Sequence, residues 1–368
     1  MTLTIDAEFG HERLLTLTHA SGLLVVIAFH STALGPAVGG MRYRRYESLT
    51  AALVDALRLS RAMTLKNAAA GLAWGGGKLC VVDDGDESRR NDRLVALAGI
   101  LNDLGGSYIV GKDVGATIAD MDVLASHSPW VVGMSPALGG LGDPSPATAE
   151  TVLGSMRAAS SLLWGTTSLE GRTASVVGVG GVGGSLARLL AESGMTLLVA
   201  DTDAARLRHT VDCVGATPVS VGDALVAEVD FLAPCATGEM VDHELVDHLR
   251  CDVIAGGANN PLVDDGVAEK LHARGILYVP DFLSNAGGVI QNAVEFARGR
   301  ADDLEGLLHA ADERTYLLLE KALAAGRPPL ELARAEALAS VHDAEAASGD
   351  GASEREHQRT RSSDERHG

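Results

Sequence analysis

Only five lysines, Lys66, Lys78, Lys112, Lys270 and Lys321, stand beside 25 arginines in this 368-residue chain. An ammonium can give up its proton and serve as a base, which a guanidinium cannot. A lysine kept in so arginine-rich a chain is therefore a candidate for chemistry. Lys66 and Lys78 share the segment MTLKNAAAGLAWGGGKLC, residues 63–80. Lys66 falls at the end of a helix, and Lys78 follows three glycines into a strand. A phosphate-cradling P-loop is excluded there, because it needs Gly six residues before the lysine and Ser or Thr after it. Those positions are Leu72 and Leu79. Read singly, Lys66 could complement a helix C-terminus and Lys78 could be a solvated turn lysine. The residue types alone leave those roles open beside base chemistry.

A second constellation is better defined. TASVVGVGGVGGSLA, residues 173–187, holds GxGxxG at Gly178, Gly180 and Gly183. A β-branched strand precedes it and an amphipathic helix follows. A second strand, 196–200, then ends in Asp201. That context marks a dinucleotide site: Gly178 for the tight turn, Gly180 for close approach of the pyrophosphate, Gly183 for helix–sheet packing. The helix N-terminus supplies N–H donors and a positive dipole end. A carboxylate at Asp201 accepts from both adenosine ribose hydroxyls and repels a 2′-phosphate, so NAD is expected over NADP. Arg206 and Arg208 read as solvated helix-face residues.

Other reactive side chains point elsewhere. Cys80, Cys213, Cys235 and Cys251 form no CxxC pair, so no zinc site, redox dithiol or disulfide framework is expected. They read as free thiols of a reducing compartment. No histidine has a partner signature, which argues against a His–Asp hydroxy acid dehydrogenase, and no metal site is expected.

The elements that must position these groups read as two α/β units. Residues 12–30 predict a β-hairpin turning at Ala20, Ser21 and Gly22. Residues 48–65 predict a helix, with Leu49, Leu53, Ala56, Leu57, Ser60 and Met63 at helical spacing and Ser48 as N-cap. A strand over 79–82, a helix over 91–104 and a short strand over 107–110 follow. GGLGDPSP, residues 139–146, reads as a boundary, and 148–163 as a connecting helix. From Gly171 onward strands and helices alternate, which means a parallel, doubly wound sheet. Residues 303–345 read as helical, and 347–368 as a disordered tail. With 49 acidic against 30 basic residues, the net charge of −19 argues against a coat for nucleic acid or anionic lipid. MTLTIDAEFGHER carries Asp6 and Glu8 where a signal peptide needs cations. The longest apolar run, 23–29, is far short of the roughly 20 residues of a membrane span. A soluble, cytoplasmic protein is expected.

The lysine-bearing segment resembles the signature of the amino acid dehydrogenases, the leucine, valine, phenylalanine and glutamate group. Further blocks are similar to that family, in family order: GPAVGGMR at 35–42, GKDVGAT at 111–117, GDPSPATA at 142–149, APCATG at 233–238, AGGANN at 255–260 and PDFLSNAGGVI at 280–290. The resemblance covers about residues 12–340, and its details are nearest the leucine and valine branch. It implies a substrate and oligomerisation domain over 1–141, joined by C-terminal helices at about 325–346. A Rossmann-type NAD domain over 142–324 would lie across a cleft, in a homo-oligomer. It further implies that Lys78 is the general base that activates water against an imine, with Asp113 binding the substrate amino group and shuttling protons. Such a base needs a neutral amine, which a nearby cation and exclusion of water favour. Lys66 would hold the substrate carboxylate, which the backbone around Gly39 and Gly40 would also approach. Thr148 would contact the nicotinamide carboxamide. Gly181, Val182, Cys235, Ala236, Thr237 and Ala258 would complete the cofactor site. Asn259 and Asn260 would serve the nicotinamide ribose and the substrate carboxylate; Asn259 is assigned to the cofactor and Asn260 to the substrate, though sequence alone does not divide them.

The reaction so implied is reversible oxidative deamination of an L-amino acid to a 2-oxo acid and ammonia. Val38 sits where glutamate-specific members carry a lysine, and an unpaired buried carboxylate costs several kcal/mol, so a glutamate dehydrogenase is the weaker alternative. Val38, Gly111, Val289 and Asn292 are the expected walls of an apolar side-chain pocket. Asn292 and Trp74 depart from the leucine-like pattern, and Gly111 would enlarge the pocket towards an aromatic substrate. An idle NAD-binding regulator is the other alternative, against which Lys66, Lys78 and Asp113 together speak.

Overall fold

A computed structural model of the chain describes residues 2–3, 10–236 and 238–364. The chain divides into two units, 1–138 with 335–368, and 139–334. The boundaries expected from the sequence, 141/142 and 324/325, differ from these by three and ten residues.

The first unit contains β1 (Thr2–Leu3), β2 (Arg13–Thr18), β3 (Leu24–Ser31), β4 (Ala37–Arg44), α1 (Leu49–Ala69), β5 (Gly75–Val82), α2 (Arg90–Asp103), β6 (Tyr108–Lys112) and α3 (Ile118–Ala125). Its six-stranded sheet runs β1-β2-β3-β5-β4-β6. The expected hairpin is β2–β3, paired antiparallel from Arg13↔Phe29 to Thr18↔Leu24. β5 lies antiparallel to β3 and parallel to β4. One sheet face packs Leu79, Val81, Met41 and Phe29 against α2 and α3. The other packs Val26, Ala28 and Cys80 against Ala52, Ala56 and Leu57 of α1. Ser48 caps α1 by accepting from the Ala51 N–H at 3.1 Å.

Three local readings change. β5 begins at Gly75 rather than 79, so the three glycines are strand. A Cβ on Gly76 would come within 2.6 Å of the Ser60 carbonyl, and one on Gly77 within 2.5 Å of Tyr108 Cε2. Bare backbone is what lets α1 lie so close to the sheet. GPAVGGMR contributes strand β4, which its paired glycines conceal, since glycine is depleted in strands. Finally, the backbone helix of the last element continues over 347–364, where composition suggested disorder.

The second unit contains α4 (Ser145–Trp164), β7 (Thr173–Val177), α5 (Gly181–Glu192), β8 (Thr196–Ala200), α6 (Ala204–Val214), β9 (Thr217–Pro218), α7 (Val221–Leu225), β10 (Glu228–Pro234), α8 (His243–His248), β11 (Arg250–Ile254), α9 (Asp265–Ala273), β12 (Leu277–Tyr278), α10 (Asp281–Ser284), α11 (Gly287–Phe296) and α12 (Ala301–Ala325). α13 (Pro329–Asp364) begins in this unit and ends in the first. The sheet is parallel throughout, in the order β12-β11-β10-β7-β8-β9. That is the doubly wound order of dinucleotide-binding folds, and it reverses between β7 and β10. Its core includes Val176, Leu186, Leu190, Val199, Phe231 and Val253.

Candidate active site

In the first unit the sheet itself positions the reactive groups. Lys78 is central in β5, and side-chain alternation puts it on the same face as Gly76 and Cys80, the face α1 covers. The register Val38↔Gly76 and Arg42↔Cys80 brings Val38, Gly40 and Arg42 of β4 to that face. Asp113 follows directly after β6, whose partner in β4 is set by Gly40↔Gly111 and Met41↔Lys112. These placements converge on an ion pair: Lys78 Nζ donates to Asp113 Oδ2 at 2.5 Å, with the lysine side chain 6% and the aspartate 23% exposed.

A residue that sequence reading did not assign completes the arrangement. Arg42 Nε donates to the same Asp113 oxygen at 3.0 Å. Its Nη1 donates to both oxygens of Asp55, at 3.2 and 3.0 Å, and the Tyr46 hydroxyl donates to Asp55 at 3.0 Å. Burial pushes the Asp113 carboxyl up, but the charges of Lys78 and Arg42 and the lysine hydrogen bond outweigh it and hold it at about 2. Burial likewise pushes the Cys80 thiol up. Arg42 lies inside the quoted block GPAVGGMR; a basic residue two positions beyond the glycine pair was the available signal.

Lys66 is half-buried in the last turn of α1. Gly39 is buried, and its carbonyl accepts from the Tyr108 hydroxyl at 3.3 Å. Val38 is 3% exposed and lies between Gly76 and Ile109 in the sheet. Gly111 is buried on β6, and Trp74 is buried just ahead of β5.

In the second unit the expected cofactor residues gather at the point where strand order reverses. Gly178 follows β7 with φ +95°, a conformation that glycine adopts freely. Its N–H donates to the Ala200 carbonyl at 2.7 Å, and the Cys235 N–H donates to Val177 at 2.8 Å. Ala236 abuts Gly178, where a Cβ would lie 2.6 Å from the alanine methyl. Gly180 is the N-cap of α5, and Gly181 and Val182 open that helix. A Cβ on Gly183 would overlap the Gly178 carbonyl, which fixes the helix against the loop. Space beside Gly180 is open: only Arg206 Nη1, at 3.7 Å, would face a Cβ there. Asp201 Oδ2 accepts from the Val179 N–H and Oδ1 from the Asp203 N–H, both at 2.8 Å. Arg206, expected to be solvated, is 56% exposed but leans on Asp203 at 3.2 Å and Asp201 at 3.9 Å.

The AGGANN segment is held from below by Asn285, which sequence reading left unassigned inside PDFLSNAGGVI. Its Nδ2 donates to the Ala258 carbonyl at 3.2 Å and to Asn259 Oδ1 at 3.1 Å. Asn260 has a left-handed backbone, φ +48°, and its N–H donates to Asp281 at 2.8 Å. The Thr148 hydroxyl donates to the Pro144 carbonyl at 2.9 Å. The Cys235 thiol accepts from the Gly257 N–H at 3.4 Å, and burial pushes it up to about 11. Val289 and Asn292 are half-buried, one helical turn apart on α11. Thr237 lies outside the described residues.

Family models match both units. Residues 16–131 match the dimerisation domain of the Glu/Leu/Phe/Val dehydrogenases, and residues 199–304 match the Glutamate/Leucine/Phenylalanine/Valine dehydrogenase domain. The chain is 44% identical to a leucine dehydrogenase of Bacillus subtilis over 75% of its length and 76% of the relative's. It is 41% identical to a valine dehydrogenase of Streptomyces virginiae over 89% and 93%. Among solved structures, an L-tryptophan dehydrogenase from Nostoc punctiforme superposes with a TM-score of 0.80 at 32% identity, covering 92% of this chain and 98% of the other. The fold and its relatives define an oxidoreductase that uses a nicotinamide cofactor for oxidative deamination of amino acids. The chain belongs to the glutamate/leucine/phenylalanine/valine dehydrogenase family, on its leucine and valine side.

Proposed function

We propose that this enzyme uses NAD to deaminate an apolar L-amino acid reversibly, aliphatic before aromatic, giving the 2-oxo acid and ammonia. The observation that carries the reading is the buried Lys78 bound at 2.5 Å to an Asp113 carboxylate held at about 2. The residues of the second unit fit the cofactor. The open space at Gly180 in front of the α5 N-terminus suits a pyrophosphate. A carboxylate has about four acceptor sites, so Asp201 keeps capacity for a ribose diol beside its two backbone donors. When bound, oxidised NAD accepts the hydride that leaves the substrate Cα.

Every other task falls to the chain. Lys66 and the backbone at Gly39 and Gly40 hold the substrate carboxylate. Asp113, ionised across the working pH range, accepts a hydrogen bond from the substrate amino group and orients Lys78. Lys78 takes a proton from the water that adds to the imine, then returns one as ammonia leaves. Asn260 orients the substrate, and Asn259 and Thr148 the cofactor. Val38 supports an apolar substrate: no cation stands there to pair a distal carboxylate, and the position is buried.

Gly111 favours a second substrate set. A glycine there in place of a larger residue would enlarge the pocket towards an aromatic ring, and a tryptophan dehydrogenase is among the structural relatives. Absorbance at 340 nm with NAD and Leu, Val, Ile, Phe, Trp or Glu tests the assignment. A clear preference for Glu would refute the pocket, and silence with all six would favour an idle NAD-binding protein. The match of 16–131 to a dimerisation domain supports a homo-oligomer, which light scattering tests. No helix of the described residues is long and apolar enough to cross a membrane.

A further inference from the structure

We infer that Arg42 is a positioning residue for the reaction, acting through Asp113; the inference rests on the roles proposed for Lys78 and Asp113. Four charges alternate in a chain of contacts between the sheet and α1: Lys78, Asp113, Arg42, Asp55. Lys78 and Arg42 donate to the same oxygen of Asp113, at 2.5 and 3.0 Å. Sharing one oxygen fixes the carboxylate's rotation as well as its charge. The guanidinium is itself clamped. Its Nη1 reaches both oxygens of Asp55, which also accepts from Tyr46 and pairs with Arg58 at 3.5 Å. Arg42 and Asp55 are only 16% and 15% exposed, so water competes little for these bonds.

This geometry has a chemical purpose that a simple Lys–Asp pair would not serve. A lone carboxylate beside Lys78 would draw the proton toward the amine and hold it there. A second cation on the carboxylate opposes that, because it competes for the same negative charge. Asp55 in turn keeps the arginine's own charge balanced, so the cluster stays neutral in sum. A lysine at position 42 would supply the charge but not the fork, since an ammonium cannot address Asp113 and Asp55 with two nitrogens in a fixed plane.

The test compares Arg42→Ala, Arg42→Lys and Asp55→Asn with Lys78→Ala and the parent enzyme. The readouts are thermal unfolding, separate kcat and KM values, and the pH profile of kcat/KM. Arg42→Ala should lower kcat roughly 30- to 100-fold, leave the KM for NAD within about twofold, and move the acid limb of the profile to higher pH. That limb belongs to the Lys78–Asp113 pair as a unit. Arg42→Lys should move it the same way by less, and Asp55→Asn, which leaves the arginine's charge unbalanced, should move it to lower pH. Ethylguanidinium should restore part of the kcat of Arg42→Ala and none of that of Lys78→Ala. A folded Arg42→Ala or Asp55→Asn enzyme with an unmoved profile and near-parent kcat overturns the inference. If Arg42→Ala fails to fold, Asp55→Asn and Arg42→Lys decide by the same profile. Retained turnover in Lys78→Ala would instead remove the proposed base, whatever the arginine variants show.

Discussion

Gly40 faces Asp113 so closely that a methyl group on its α-carbon would lie 2.6 Å from the aspartate Cβ. The register Gly40↔Gly111 sets this approach, with Asp113 leaving the end of β6. Gly40→Ala must therefore displace Asp113 or spread β4 from β6. Overpacking of this kind costs about 1–3 kcal/mol, which a chain of this size tolerates, while a displacement near 1 Å can cost about 100-fold in rate. The expected result is a folded enzyme with kcat/KM down by roughly 100-fold. Circular dichroism and initial rates measured together check it; near-parent rates would show that Asp113 does not need its present position.

Asp201 offers a prediction about the cofactor. Its two oxygens already accept from Val179 and Asp203 at 2.8 Å, which holds the carboxylate where the adenosine ribose is expected. Asp201→Asn removes the charge that repels a 2′-phosphate, and Arg206, 3.9 Å away, is then released toward that phosphate. The parent should prefer NAD over NADP, and the variant should narrow that preference by roughly tenfold or more. The ratio of kcat/KM values for the two cofactors measures it. Equal use of both by the parent enzyme would contradict the role given to Asp201.

The dinucleotide half was legible because its signals are local. Gly178, Gly180 and Gly183 each answer a backbone need within a few residues, and βα alternation has a visible period. Lys78 and Asp113 lie 35 positions apart and meet only through the pairing of β5, β4 and β6, so their partnership came from resemblance rather than spacing. β4 was hidden by Gly39 and Gly40, the residues that make it useful. The contacts from Arg42 and Tyr46 to Asp55 tie the end of β4 and the loop after it to α1. Such side-chain contacts between elements leave no periodic trace.

Val38 bears on substrate choice. It is 3% exposed on β4 beside Gly76, and under the proposed pocket its two methyls would stand against the incoming side chain. Val38→Ala should favour larger substrates, raising kcat/KM for Phe relative to Val by about tenfold, the value of one or two methylenes. Competition assays with paired amino acids would show it. An unchanged Phe-to-Val ratio would place the pocket wall elsewhere.

Asp312 predicts an unusual pH dependence of stability. It sits on α12 directly over Gly154 of α4, where any Cβ would overlap its carboxylate. Burial, with Glu150 adding to it, raises this carboxyl to about 7, against the opposing charges of His309 and Arg157. The folded chain thus binds this proton more tightly than the unfolded chain does. Between pH 4 and 7 the unfolded state is the more ionised, so stability falls as pH rises through that window, and the full cost stands above 7. Asp312→Asn keeps the shape and removes the charge. After allowing for solvent near the group, the variant should be more stable than the parent by on the order of 2 kcal/mol at pH 8. The gain should shrink as pH falls and vanish near pH 4. Urea midpoints at fixed protein concentration, taken at pH 4, 6 and 8, measure this directly. Curves for parent and variant that stay parallel at all three values would mean that Asp312 is ionised in the folded enzyme.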